Sequence, residues 1–158
     1  MKRKTLLSVI GGSIFMLLAI LILKSCFFYP DYNFESYENG YAITGCNNCS
    51  ERMVFPDYYK RKPVLKISPL VLYPLRFSIT GENIDSVKII IIPESVELIE
   101  HEAFYGVVNL QEVHISKNVM EIAPSAFSGC DKMSIYGYTD SYAEQYAEEN
   151  GIPFVAKE

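Results

Sequence analysis

No Lys/Arg cluster in this chain is larger than Lys60-Arg61-Lys62, and nucleic-acid binding depends on a basic face that neutralises phosphates. The overall balance points the same way. Beyond Lys24 there are ten basic and 19 acidic residues, a net charge of −9, so nucleic acid is set aside as a partner. Histidine is scarce, with only His101 and His114, and there is neither a Gly-rich phosphate loop nor a His/Asp/Glu metal motif. No nucleophile stands at a supporting spacing from a base. With no site to argue from, the chain is expected to be neither an enzyme nor a holder of cofactor or metal.

Acidic residues are missing altogether before Asp31. Met1-Lys2-Arg3-Lys4 is followed by an uncharged, largely apolar run from Thr5 to Leu23, which is 19 residues. A secretory signal has an apolar region of about 7–15 residues, whereas a bilayer core needs about 20. The length predicts a transmembrane anchor: a cytoplasmic basic tail at 1–4, an anchor or signal at 5–26 and a linker at 27–37. Phe27, Phe28, Tyr29 and Tyr32 form an aromatic cluster of the kind found at a membrane surface, and the basic N-terminus predicts an N-inside orientation with the remainder outside. A competing reading stays open. Leu23-Lys24-Ser25-Cys26 resembles a bacterial lipobox, which would place a lipid on Cys26, although Lys24 stands where a small or apolar residue is usual.

The remaining sequence is organised by a repeat. Ile92-Pro93-Glu94-Ser95-Val96-Glu97-Leu98-Ile99 leads to Ala103-Phe104, and Ile115-Ser116-Lys117-Asn118-Val119-Met120-Glu121-Ile122 leads to Ala126-Phe127, with a constant offset of 23. Leu110, Val113 and Ile115 form an L-x-x-L-x-L arrangement, echoed by Val87, Ile90 and Ile92. The residues of that pattern point inward along a strand while those between them face out. One such unit cannot bury its faces alone, so neighbours must stack on it.

Upstream, Asn39-Gly40 signals a turn, and Tyr41-Ala42-Ile43 and Val64-Leu65-Lys66-Ile67 suggest short strands. Val54-Phe55-Pro56 echoes Ile91-Ile92-Pro93, and Ile67 followed by Leu72 echoes Ile99 followed by Phe104. This reads as a divergent first repeat at 38–86, then regular repeats at 87–133 and a cap at 134–156. The connection from Tyr73 to Ser86 is long. Cys46-Asn47-Asn48-Cys49 allows half a zinc site, a redox pair or a local disulfide. Zinc would need two more ligands from Cys130, His101 and His114, all inside the repeats. A redox Cys belongs at a helix N-terminus, which Gly45 and two Asn argue against. A disulfide or two thiols remain for an extracellular domain.

The two units resemble the BspA-like leucine-rich repeats of bacterial surface proteins, on Ile92, Pro93, Ser95, Val96, Ile99, Ala103, Phe104, Gly106, Leu110 and Val113, and again on Ile115, Val119, Ile122, Ala126, Phe127, Gly129, Cys130 and Met133. With the lead-in and the C-terminal stretch the likeness covers about 38–156. Ser116 departs from the usual Pro, Val107 from Cys, and Glu100 and Ala123 from Gly. The resemblance implies an α/β fold: a short leucine-rich repeat solenoid, β-rich with parallel strands, bearing a C-terminal capping helix. It makes Cys130 a small buried residue of the turn. It also implies a non-catalytic extracellular protein that contacts a protein or cell-surface ligand. A lipoprotein or structural envelope protein with no specific ligand is the alternative.

Two features complete the reading. Ser141 with Glu144 forms a capping box, Gly151 suits the helix end and Pro153 stops continuation, so 140–151 is predicted as a short helix with a Tyr142, Ala143, Tyr146, Ala147 stripe over the open end of the coil. Ile152–Val155 is predicted as a final strand. On the repeat strands, the outward positions Ile89 and Ile91 should lie beside Glu112 and His114. Adjacent outward isoleucines mark a contact surface, unless the Tyr73–Ser86 connection covers them.

Overall fold

The computed structural model describes residues 32–47, 49–72 and 84–158. The apolar run 5–23, Cys26 and residues 73–83 of the long connection lie outside the described residues. No helix among the described residues is long and apolar enough to cross a membrane.

In chain order the elements are β1 (Tyr32–Tyr37), β2 (Gly40–Cys46), β3 (Arg52–Val54), β4 (Tyr58–Tyr59), β5 (Lys62–Ile67), a 3-10 turn (Ile84–Ser86), β6 (Ile89–Ile91), β7 (Leu98–Ile99), β8 (Glu112–His114), β9 (Glu121–Ile122), β10 (Ser134–Gly137), α1 (Tyr142–Asn150) and β11 (Phe154–Ala156). They form two sheets. Sheet I runs β3-β6-β8-β10-β11 and sheet II runs β1-β2-β5-β7-β9, with β4 also on β5. Every pairing in sheet I is parallel. So are β2-β5, β5-β7 and β7-β9 in sheet II. The chain crosses from one sheet to the other in each repeat, as a coil.

The 23-residue offset is a physical register. Ile90 pairs with Val113 across β6-β8, and Ile99 pairs with Ile122 across β7-β9. Each repeat therefore delivers its inward side chains to the same depth, and Val87, Ile90, Val96, Ile99, Ala103, Phe104, Leu110, Val113 and Ile115 are fully buried. Rings meet in succession along the coil: Tyr32 tilted against Phe55 (centroids 5.1 Å), Phe55 edge-to-face with Phe104 (5.8 Å), Phe104 stacked on Phe127 (5.2 Å) and Phe127 edge-to-face with Tyr146 (6.0 Å). Polar groups bridge turns as well. Asn109 Nδ2 donates to Asp85 O at 2.9 Å, and Asn118 Nδ2 to Glu94 O at 2.8 Å. Where Ser116 replaces the proline seen at Pro93, its Oγ accepts the Asn118 N–H at 3.1 Å and makes the turn locally.

The divergent stretch stacks in the register its echoes imply. Val54 pairs with Ile91, and Lys66 and Ile67 pair with Leu98 and Ile99; Leu72 is buried, and the Val71 N–H donates to Ala103 O at 3.1 Å. From Val54 to Ile67 takes 13 residues where Ile91 to Ile99 takes eight. The surplus forms the β4-β5 hairpin, in which Tyr58 pairs with Pro63 and Tyr59 with Lys62. The same stretch places two strands in sheet II, β2 as well as β5.

Two local readings change. Residues 32–37, expected as the end of a linker, form β1 antiparallel to β2, because Tyr32 and Phe34 alternate onto one side, where Phe34 stacks on Tyr59 at 3.9 Å. The turn falls at Glu38-Asn39, since Gly40 is already paired with Tyr37. Gly40 is required for another reason: a Cβ there would collide with the Pro63 carbonyl oxygen of β5.

The C-terminal helix is capped as expected. The Ser141 side chain accepts the Glu144 N–H, and Gly151 adopts φ 64° and closes the helix with bonds to Ala147 O and Glu148 O. The Glu144 carboxylate accepts the Asp140 N–H at 2.7 Å. Ala143, Tyr146 and Ala147 are buried, so α1 takes up the place beside β9 that a further strand of sheet II would fill. β11 returns to sheet I beside β10, starting two residues and ending one residue later than the predicted strand.

Candidate functional site

Between the inward residues of sheet I, parallel registration aligns the outward ones in rows. Val54, Ile91, His114, Tyr136 and Val155 form one row across five strands; Arg52, Ile89, Glu112 and Ser134 form the next. The residues between the rows, Met53, Ile90, Val113 and Ile135, are all fully buried, which fixes the outward direction of their neighbours. Val54 and Val155 at the two margins are 47% and 41% exposed. Ile89, Ile91, Glu112, His114 and Tyr136 are half-buried against one another. The His114 ring stacks on Tyr136 (centroids 4.7 Å, 17°), and its Nε2 lies 3.0 Å from Glu112 Oε2. At the strand starts Lys88 pairs with Glu51 at 2.9 Å, an exposed ion pair of small energetic weight.

Ile89, Ile91, Glu112 and His114 are thus neighbours, as the repeat spacing indicates. The residues that would cover them from the long connection, 73–83, lie outside the described residues. Val54, Arg52, Tyr136 and Val155 extend the face beyond the sequence reading. The Val54-Phe55-Pro56 echo contained the signal for Val54. Tyr136 was hidden because β8 and β10 pair with an offset of 22, Val113 opposite Ile135, so a strict period of 23 would turn Tyr136 inward.

The other candidates occupy separate places. Cys46 ends β2, is buried, and donates its N–H to Val71 O at 2.9 Å; Cys49 is half-buried against the core. Both border Tyr32, whose phenol is pushed far above its ordinary range by burial first and by the two thiols second. Cys130 packs inside the last repeat turn with Sγ donating to Phe104 O at 3.2 Å, and burial pushes its thiol up to about 11. Of the turn glutamates, Glu94, Glu97, Glu102 and Glu121 are exposed, while Glu100 is half-buried beside Lys66 at 3.2 Å. Among the described residues no group of three or more His, Cys, Asp or Glu side chains is placed to hold a metal ion. Cys26 lies outside the described residues.

A coil that supplies two short parallel strands per turn around repeated Leu/Ile/Val and Phe positions, closed by a helix, is a leucine-rich repeat solenoid. Residues 82–147 match the family model described as "BspA type Leucine rich repeat region (6 copies)", so that stretch is similar to BspA-type leucine-rich repeats. Among solved structures the chain is similar to a leucine rich cell surface protein from Faecalibacterium prausnitzii A2-165, at 24% identity and a TM-score of 0.52, over 66% of this chain and 28% of that one. A leucine-rich repeat protein from Bacteroides ovatus ATCC 8483 aligns at 20% identity and a TM-score of 0.46, over 83% of this chain and 40% of the other. This chain thus spans less than half the length of either. No curated protein matches it.

Proposed function

We propose that this protein is anchored at a bacterial cell surface by its N-terminal apolar run and binds a partner protein through the outer face of sheet I, without catalysis. The observation that carries the reading is the row Val54, Ile91, His114, Tyr136 and Val155, brought into register from five strands. A repeat solenoid offers an extended face, but the fold alone does not fix the ligand. The side chains point to a partner that is apolar at the centre of contact and basic around it, since the chain beyond Lys24 carries −9 and complementary charge governs encounter.

The test places a photo-crosslinking residue at position 91 and, as a control, at Glu97, which is exposed in the turn before β7. A discrete adduct from position 91 that disappears when Tyr136→Asp is added supports the reading. Equal adducts from both positions, or none from 91, sink it. The anchor rests on the length of 5–23 and is tested separately. Protease added to intact cells after wall removal should cut the repeat domain, whereas lipid found on Cys26 would replace the uncleaved anchor with the lipoprotein alternative. Cys46 and Cys49 are proposed to stand in that ectodomain either as a local disulfide or as two thiols; full alkylation of both without prior reduction would rule out the disulfide.

A further inference from the structure

We propose that the cleft at the C-terminal end of the coil takes a short segment of a partner polypeptide, held as the next repeat turn would be. Successive turns are joined by the Phe104 N–H donating to Ala126 O at 2.9 Å and the Gly106 N–H donating to Ser128 O at 2.8 Å. One repeat on, the equivalent donors are the N–H groups of Phe127 and Gly129. The cap meets the first of them: the Phe127 amide faces the Tyr146 hydroxyl as a donor, and that hydroxyl donates onward to Pro124 O at 3.2 Å. It does not meet the second. Among the described residues the Gly129 N–H has no hydrogen-bond partner, and Gly129 (φ 78°) lines a cleft of about 340 Å³ between the last turn and the cap.

The walls of the cleft mix apolar side chains, Phe127, Met133, Ile152 and Pro153 among them, with the polar ones of Ser128, Asp131 and Asn150. An open backbone donor on the last turn, in a cleft with both apolar and polar walls, is the contact that a following turn of the stack would use. The coil itself shows which segment fits. At the previous junction the Ser128 carbonyl meets Gly106 N–H, and two residues later the small Cys130 side chain reaches Phe104 O. A segment of the form X-Gly-small apolar would repeat both contacts, its X carbonyl on Gly129 N–H and its small side chain against Phe127 and Met133. Because Tyr146 already satisfies Phe127, only this half of a turn has room. Asp131, on the same wall, disfavours an acidic segment. The site is separate from the outer face of sheet I and does not depend on it.

The probe is the acetylated, amidated peptide of residues 105–108, Tyr-Gly-Val-Val, titrated into the 15N-labelled full chain in detergent micelles. A saturable shift of the Gly129 amide is expected. Affinity should fall by at least about tenfold in Ser128→Trp, which fills the cleft from an exposed position on the turn; Asn150→Trp, from the opposite wall, serves if the first variant loses its spectral dispersion. No saturable shift at Gly129 by about 5 mM, beyond the weakest affinity expected of a specific site, overturns the proposal. So does a shift centred on Ile91 and His114, or full affinity in the filled variant.

Discussion

At the scale of single residues, the core positions of the repeat differ in what they contribute. Phe104 is fully buried and lies between Phe55 and Phe127, in contact with a ring on each side. Its replacement leaves a cavity in the middle of the coil that neither neighbour can close without breaking strand register. Phe104→Ala should therefore cost about 3–5 kcal/mol, read as a lowered urea midpoint with unchanged slope; a loss below about 1 kcal/mol would show that the rings do not support one another. Cys130 behaves differently. It occupies the position of Val107 one repeat earlier, and both are buried, so Cys130→Val should stay within about 1 kcal/mol of the parent near neutral pH, the lost S–H bond being offset by apolar contact.

The same thiol sets a pH dependence. Its folded value of about 11 lies above the ordinary 9.0, with burial the main cause. The folded state therefore holds this proton more tightly than the unfolded chain. The stabilising contribution is complete below about 9 and is lost as pH rises through about 11. Urea midpoints at pH 8 and pH 11 should separate less in Cys130→Val than in the parent. They should still separate, because burial also pushes up the phenols of Tyr32 and Tyr146.

At the scale of elements, the regular strands were legible because pattern and packing coincide there. An L-x-x-L-x-L stretch recurring every 23 residues can bury its apolar side only in one stacked register, and β6 to β9 adopt it. Legibility failed where local geometry departs from the period. The contraction by one residue before β10 reverses the face of Tyr136, and β1 lies outside the repeat, holding its place by aromatic contacts to Phe55 and Tyr59. The β4-β5 hairpin is a third case. Its two-residue loop is Lys60-Arg61, with φ 47° and 66°, a conformation in which Asn-Gly is favoured and each other L-residue is strained. The basic cluster Lys60-Arg61-Lys62 is therefore at the tip of a strained hairpin. Replacing it as Lys60→Asn with Arg61→Gly should stabilise the fold by about 1–2 kcal/mol, measured by urea denaturation. A destabilised double variant would mean that the two side chains make contacts outweighing the strain, and would direct attention to the hairpin tip as a binding element.

At the scale of the whole molecule, the question is whether so short a coil unfolds as one body or peels from its ends. Long repeat arrays behave as nearest-neighbour chains and lose cooperativity with length. Here a single cluster of buried residues runs from Ile43 to Ala147, and the ring ladder ties Tyr32 at one end to Tyr146 in the cap. The cap also holds the last repeat turn by the Tyr146 bond to Pro124 O. Loss at either end thus exposes the side chains on which the next turn is stacked, and with so few turns no interior segment retains enough burial to stand alone. Unfolding followed by far-UV circular dichroism and by tyrosine fluorescence, available because the chain has 12 Tyr and no Trp, should give coincident transitions. The sharper version uses one variant at each end, Phe55→Ala and Tyr146→Ala. Each should shift the whole transition downward by a comparable amount, with both probes still coincident. Two separated transitions in Tyr146→Ala, the first confined to α1 and β11, would instead show that the cap is a detachable unit. The cleft beside Gly129 would then open by local unfolding before the coil itself gives way.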